Sequence, residues 1–200
     1  MIEFDEATHT YKLDGVPVKS VTQILEESGL SDFSRVPPDV LKRACEFGSA
    51  VHSATELDDM DDLDDDSLDP SLFPYLAAWR KFKREFGFQV IDMEQIVYSK
   101  KLLFAGTYDR KGILNNKLTV LDIKTGIAIK STVRNTGVQL AGYAIGYDEE
   151  RKIKEQIKSR VGIWLKDTGE YQLERFKNKR DYFVFRAALT IVNFKGGRYE

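Results

Sequence analysis

Asp-Arg-Lys-Gly-Ile-Leu-Asn-Asn-Lys-Leu-Thr-Val-Leu-Asp-Ile-Lys-Thr-Gly, residues 109–126, decides how this chain folds. Two runs rich in β-branched and aliphatic residues flank Asn115-Asn116, a pair that tolerates the positive backbone angles of a two-residue hairpin turn. Strands are expected over 102–114 and 118–124, paired so that partner numbers sum to about 231, which sets Asp109 opposite Asp122. Side chains alternate along a strand, so Asp122 and Lys124 share one face while Ile123 enters the core. Two carboxylates at cross-strand distance, ~5 Å, repel unless a cation lies between them. Hard oxygen donors select Mg²⁺ or Mn²⁺. A metal there, with the Lys124 ammonium beside it, suits hydrolysis of a phosphodiester bond.

The rest of the chain is arranged around this hairpin. Asp14-Gly15 turns an N-terminal hairpin over 1–20, and Ser20 or Thr22 caps a short helix closed by Gly29. Pro37-Pro38 opens a second helix that runs to about Leu57, and another spans 70–86. The sheet core is expected over 88–176, with strands at 90–98, 102–114, 118–124, 161–166 and 171–176. A helix at 136–147 and a charged link at 148–160 interrupt it, and a C-terminal helix covers 178–195. This order predicts a single α/β (α+β) domain over 1–200, a central mixed β-sheet flanked by helices.

Two helical stretches contribute polar groups. Gly48 and His52 are one turn apart, and a helix-interior glycine needs a reason, such as close approach of a strand, a metal or a phosphate. By itself His52 reads as a hydrogen-bonded helix histidine; beside the hairpin it is a candidate ligand, with Glu56 one turn further on to orient it or hold a second ion. Gln139 and Tyr143 repeat the one-turn spacing. Arg110 and Lys130 are the basic residues expected to contact a polyanionic partner, and Gln139 and Tyr143 offer hydrogen-bond donors beside a cleft.

The net charge is −2, yet residues 56–69 hold nine acids and no base, so the rest of the chain stands at +7. A basic body suits a polyanion such as DNA. The acidic stretch itself reads as a flexible loop insert over 57–69. Residues 79–86 read as an amphipathic helix with buried aromatics and solvated charges rather than a base-stacking surface. The single cysteine, Cys45, excludes an internal disulfide and an iron–sulfur cluster held by this chain's own thiolates, and is expected in the core; His9 is expected to be structural. No apolar run approaches membrane-spanning length and the N-terminus lacks a leader's pattern, so a bacterial host's cytoplasm is the expected compartment.

The ordered stretches Gly48-Ser49-Ala50-Val51-His52, Gly106-Thr107-Tyr108-Asp109, Leu121-Asp122-Ile123-Lys124-Thr125-Gly126 and Gln139 to Tyr143 resemble the RecB-type branch of the PD-(D/E)XK nucleases, especially its single-domain phage-type exonucleases. The opening His9-Thr10-Tyr11-Lys12-Leu13-Asp14-Gly15 is similar as well. The resemblance implies a restriction-endonuclease-like fold and a Mg²⁺- or Mn²⁺-dependent DNA exonuclease of phage or prophage recombination. It implies His52, Asp109, Asp122 and the Ile123 carbonyl as metal ligands, Lys124 as the catalytic lysine, and Gln139 and Tyr143 near the scissile phosphate. Glu94 falls where the family often carries an acid. Partners implied are linear DNA ends and a recombination or annealing protein, with oligomers possible. A structure-specific endonuclease and a non-catalytic DNA-binding accessory protein are the alternatives.

Overall fold

The computed structural model describes residues 1–6, 8–149 and 151–197. Residue 150, in the expected 148–160 link, lies outside them. Among the described residues, eight strands form one mixed sheet. Strands β1 (Ile2–Asp5), β2 (Thr10–Leu13) and β3 (Val16–Ser20) make an antiparallel meander. The Asp14-Gly15 turn has both residues at positive φ, as its sequence predicts. β1 is an addition to the expected hairpin: its short run, with Glu3 and Asp5 exposed, carries too little alternation to be read as a strand. Helix α1 (Val21–Glu27) starts with a capping box in which Ser20 and Gln23 bond each other's backbone N–H.

Helix α2 (Pro38–Asp59) begins at the Pro-Pro pair, and α3 (Phe73–Phe86) follows a short 3₁₀ turn and ends on Gly87 at φ +58°. Then come β4 (Gln89–Ser99), β5 (Phe104–Leu114) and β6 (Lys117–Thr125). Asn115 and Asn116 both have positive φ, and the β5–β6 ladder pairs Leu114 with Lys117 through Arg110 with Leu121, the register expected from the turn. Helix α4 (Lys130–Asp148) starts six residues earlier than expected, because Ser131, Thr132 and Asn135 conceal its first turns from an apolar-period reading. Strands β7 (Ser159–Leu165) and β8 (Tyr171–Arg175) and helix α5 (Arg180–Lys195) complete the chain.

Odd residues of β6 and β7 (Leu121, Ile123, Val161, Ile163, Leu165) pack with Trp79 and Phe82 of α3 and Val51 and Ala54 of α2. The other face packs on α1, α4 and α5 through Val21, Leu140, Tyr143 and Phe185. Burying such side chains contributes about 1.5–3 kcal/mol each. Cys45 is exposed, correcting its expected place in the core: only Val51, Ala54 and Thr55 of α2 are buried, so its N-terminal half stands clear of the sheet.

The acidic stretch is also corrected. Its first acids lie on α2, and Asp59, with a fully buried side chain, accepts from Trp79 Nε1 at 2.9 Å, Lys83 Nζ at 2.6 Å and Arg110 Nε at 2.7 Å. Asp58 takes Arg80 and Lys83, and Asp65 takes Arg80. The aromatics of α3 are buried as expected, but its flanking cations Arg80, Lys81 and Lys83 are ion-paired rather than merely solvated.

Candidate metal and catalytic site

The site lies where the sheet forks. β4 covers one edge of β5 from Phe104 to Ile113. The other edge is shared: β3 pairs with Phe104 and Ala105, and β6 with the residues from Arg110 onward. Residues 106–109 therefore lack a strand on that side. The ladder stops one rung short of Asp109 and Asp122, and in its place the Asp109 carboxylate accepts the Ile123 N–H at 2.6 Å. A residue's N–H and C=O leave the same edge of a strand, so the Ile123 carbonyl also faces the fork. His52 Nε2 lies 3.0 Å from it.

The other edge of His52 faces acids. Its Nδ1 is 3.8 Å from Asp109 Oδ2 and 4.0 Å from Glu94 Oε1. His52, Glu94 and Asp109 each offer a ligand atom, all within 4.8 Å of one another. Burial works against a charged imidazole, but Asp109, the contact with Glu94 and the more distant Asp122 outweigh it, with Lys124 opposing, and raise His52 to about 9. Glu94 sits inside β4 at φ +48°, a left-handed conformation that non-glycine residues seldom adopt in a strand. The β4–β5 pairing skips Glu94 and Asp109, and the alternation of β5 breaks there too. Tyr108 and Lys111 both reach Asp92, whereas Arg110 reaches Thr55 and Asp59 of α2.

Asp122 and Lys124 occupy the opposite face of β6. Asp122 is fully buried; Lys124 Nζ is 2.8 Å from its Oδ2, and Oδ1 has no partner among the described residues. Burial raises the Asp122 carboxyl to about 6, with Lys124 pulling it down and Asp109 pushing it up. Burial opposes the charge on Lys124, but Asp122 and Asp109 overcome it and raise its pKa. A buried carboxylate with a bare oxygen is costly unless a cation or a proton is supplied. This chemistry fits a hard divalent ion: one imidazole, carboxylates at hand from three strands, and a main-chain carbonyl turned inward.

The remaining expected residues are placed as follows. Gln139 Nε2 donates to Tyr143 Oη at 2.9 Å. Tyr143 is 4% exposed, and burial together with the Asp122 and Asp109 charges holds its phenol well above the ordinary range. Its ring lies where a Cβ on Gly106 would come within 2.9 Å, which explains the glycine of the Gly-x-x-Asp stretch. Glu56 lies outside the His52–Glu94–Asp109 group, and Lys130 is exposed at the first residue of α4. Arg110 is a correction: its side chain is 0% exposed and ion-paired to Asp59, with Nη1 3.5 Å from Glu94, so it positions the site from beneath instead of touching a nucleic acid. At Gly48 only the strand alternative is removed: beyond its own helix, a Cβ there would meet nothing within 4 Å, so no strand packs against it.

Sequence reasoning passed over Thr107, whose Oγ1 bonds Tyr11 Oη at 2.8 Å, and Tyr11 itself, raised first by burial and further by Glu94. The alternation of Tyr11 and Leu13 marks them as buried and carries no sign of the distant fork.

No protein-family model matches the chain, and no curated protein does. Among solved structures it is similar to SSO0001, with 10% identity over 62% of this chain and 58% of that one and a TM-score of 0.36. It is also similar to an alkaline exonuclease, LHK-Exo from Laribacter hongkongensis, with 11% identity over 86% of this chain and 91% of that one and a TM-score of 0.37. The chain thus spans little more than half the length of SSO0001. At such low values the chemistry of the site itself carries the functional reading.

Proposed function

We propose that this protein is a divalent-metal-dependent deoxyribonuclease that degrades linear DNA from its ends, in phage or prophage recombination or DNA processing. One observation carries the reading. A buried carboxylate with a bare oxygen, Asp122, is contacted by an ammonium group and stands near a His–Glu–Asp trio gathered within 4.8 Å. Ion-pair networks that only stabilise a fold satisfy their acids; this one leaves acceptor capacity unused.

His52, Glu94, Asp109, Asp122 and the Ile123 carbonyl would hold Mg²⁺ or Mn²⁺. Such an ion, when bound, acidifies water and polarises a phosphate oxygen. The chain's own groups do the rest. Lys124, anchored on Asp122, donates to the attacking water and offsets negative charge developing on phosphorus. The Asp109 carboxylate, fixed by the Ile123 N–H, keeps the fork open at a set width. Tyr143, settled over Gly106, orients the Gln139 amide toward the substrate. Attack in line with the leaving 3′ oxygen yields a 5′-phosphate.

The test is incubation of end-labelled linear DNA and covalently closed circular DNA with Mn²⁺, Mg²⁺ or chelator. The expected result is shortening of linear DNA by the parent alone, abolished by Asp122→Ala, Lys124→Ala and chelator. Internal cutting of the circle would replace the exonuclease with a structure-specific endonuclease. DNA retention without cleavage under every metal would leave an accessory DNA-binding protein.

A further inference from the structure

The cations of this chain fall into two populations. Around α3 and beneath the fork, Arg80, Lys81, Lys83, Arg110 and Lys111 each pair with an acid. At the other end of β6, Lys117, Lys158, Arg175, Lys177 and Lys179 line a cleft of about 510 Å³ whose lining contains no acidic residue. All five are exposed, and none has an ion-pair partner among the described residues. Arg175 and Lys177 also border a second cleft, which reaches Lys130 and Arg134 in the first turns of α4 and whose two acids are Glu174 and Asp181, the latter paired with Arg160. A continuous band of seven such cations therefore runs from the start of α4 to the start of β6 and β7. In a chain of net charge −2 this is a pronounced local concentration.

The band rests on a fixed frame. Buried Arg160 donates to the carbonyls of Gly137, Phe176 and Asn178 at 2.8, 3.2 and 2.8 Å, and pairs with Asp181 at 2.9 Å. These bonds pin the segment between β8 and α5 that carries Lys177 and Lys179. The cations are held in a row before any ligand arrives, which lowers the ordering cost of binding one.

We infer that this basic band is a second nucleic-acid site, which grips the phosphate backbone of DNA remote from the catalytic fork. The identity of the polyanion as DNA rests on the nuclease reading; the existence of a polyanion site does not. Lys117 precedes Asp122 by five strand residues, about 17 Å. At 3.4 Å per base pair this is about five base pairs beyond the bond being cut. The site holds long DNA and is out of reach of very short pieces. An acidic protein is the poorer fit: the band offers a line of separate point charges, the pattern of backbone contact.

The experiment measures binding of a fluorescent duplex of about 20 base pairs and of a four-nucleotide strand, in chelator, over a range of salt. It compares the parent with a variant carrying Lys117→Ala, Lys158→Ala, Lys177→Ala and Lys179→Ala. A control carries Lys42→Ala, Arg43→Ala, Lys100→Ala and Lys101→Ala, the same charge change elsewhere, and thermal melts confirm that both variants fold. For the duplex, the plot of log affinity against log salt should flatten by about three to four in the band variant, with at least a tenfold loss of affinity, and stay nearly unchanged in the control. The parent's preference for the duplex over the short strand should collapse in the band variant. An unchanged slope, an equal loss in the control, or displacement of duplex by polyglutamate at equal charge would each overturn the inference. Binding is read without metal, so a parent that cleaves no DNA in the Mn²⁺ and Mg²⁺ incubations but shows the predicted slopes in chelator would sink the nuclease reading and leave the band standing.

Discussion

Asp59 and Asp122 are both fully buried acids, set on opposite sides of one sheet, and they are treated in opposite ways. Asp59 receives an indole N–H, an ammonium and a guanidinium at 2.6–2.9 Å. Asp122 has one ammonium contact and an oxygen with none. The first is a finished structural joint that ties α2 to α3 and β5. The second is unfinished, and the atoms that would finish it are arranged for an ion. Burial alone therefore does not mark the functional carboxylate; unused acceptor capacity does. Arg110 joins the two regions, since it is held by Asp59 and lies 3.5 Å from Glu94.

The sharpest break of this contrast is in stability without metal. Asp59→Ala takes the nearest carboxylate from buried Arg110, leaving Glu94 at 3.5 Å as its ion-pair partner, and is expected to cost about 3–5 kcal/mol in urea unfolding. Asp122→Asn removes a charge that the apo fold tolerates poorly, and is expected to change stability by less than about 1 kcal/mol or to raise it. Equal large losses at both positions would erase the distinction. Next in size is the response to ions. Excess Mn²⁺, at about 100 times its dissociation constant, should stabilise the parent by about 2.7 kcal/mol in a thermal melt. That gain should vanish in Asp109→Ala and persist in Glu56→Ala.

A third acid sharpens the comparison from outside the site. Asp148, the last residue of α4, is raised to about 6 by burial, with the Ile157 N–H, Lys158 and Arg151 opposing. A carboxyl whose folded pKa exceeds its unfolded value stabilises the fold below about pH 4 and loses that contribution as pH rises through about 6. Asp148→Asn keeps the acceptor for Ile157. It should raise stability by about 1–2 kcal/mol at pH 7.5 and by nothing measurable at pH 3.5, as pH-dependent unfolding would report. The smallest expected effect is Gly48→Ala. With no protein atom near the new methyl, the helix should gain up to about 1 kcal/mol. If DNA passes over that face, cleavage falls while stability rises; unchanged cleavage would move the substrate path elsewhere.

The hairpin was legible because its information is local. Asn115 and Asn116 take the positive φ values that their side chains tolerate, and the two-residue turn then fixes the register as far as Arg110 and Leu121. The cap at Ser20, one of the two candidates, and the end of α3 at Phe86 were legible for the same reason. What stayed hidden depends on contacts between distant segments. Charge density marks residues 56–69 as a solvated insert, yet Asp58 and Asp59 find Arg80, Lys83 and Arg110 only after α2 and α3 pack together. Arg110 follows Asp109 in a strand and reads as a surface cation; the break in β5 alternation turns it inward. The inverted backbone at Glu94, which aims a carboxylate at His52, follows no turn signal in Val-Ile-Asp-Met-Glu-Gln-Ile. Gly106 shows its purpose only once Tyr143 has folded over it.

A crystal soaked in Mn²⁺ and measured at the manganese edge tests the reading of the fork most directly. The account predicts anomalous density within ligand distance of His52, Glu94 or Asp109 and of Asp122, absent from the Asp122→Ala crystal. Full manganese occupancy at some other cluster, with this fork empty, would contradict it.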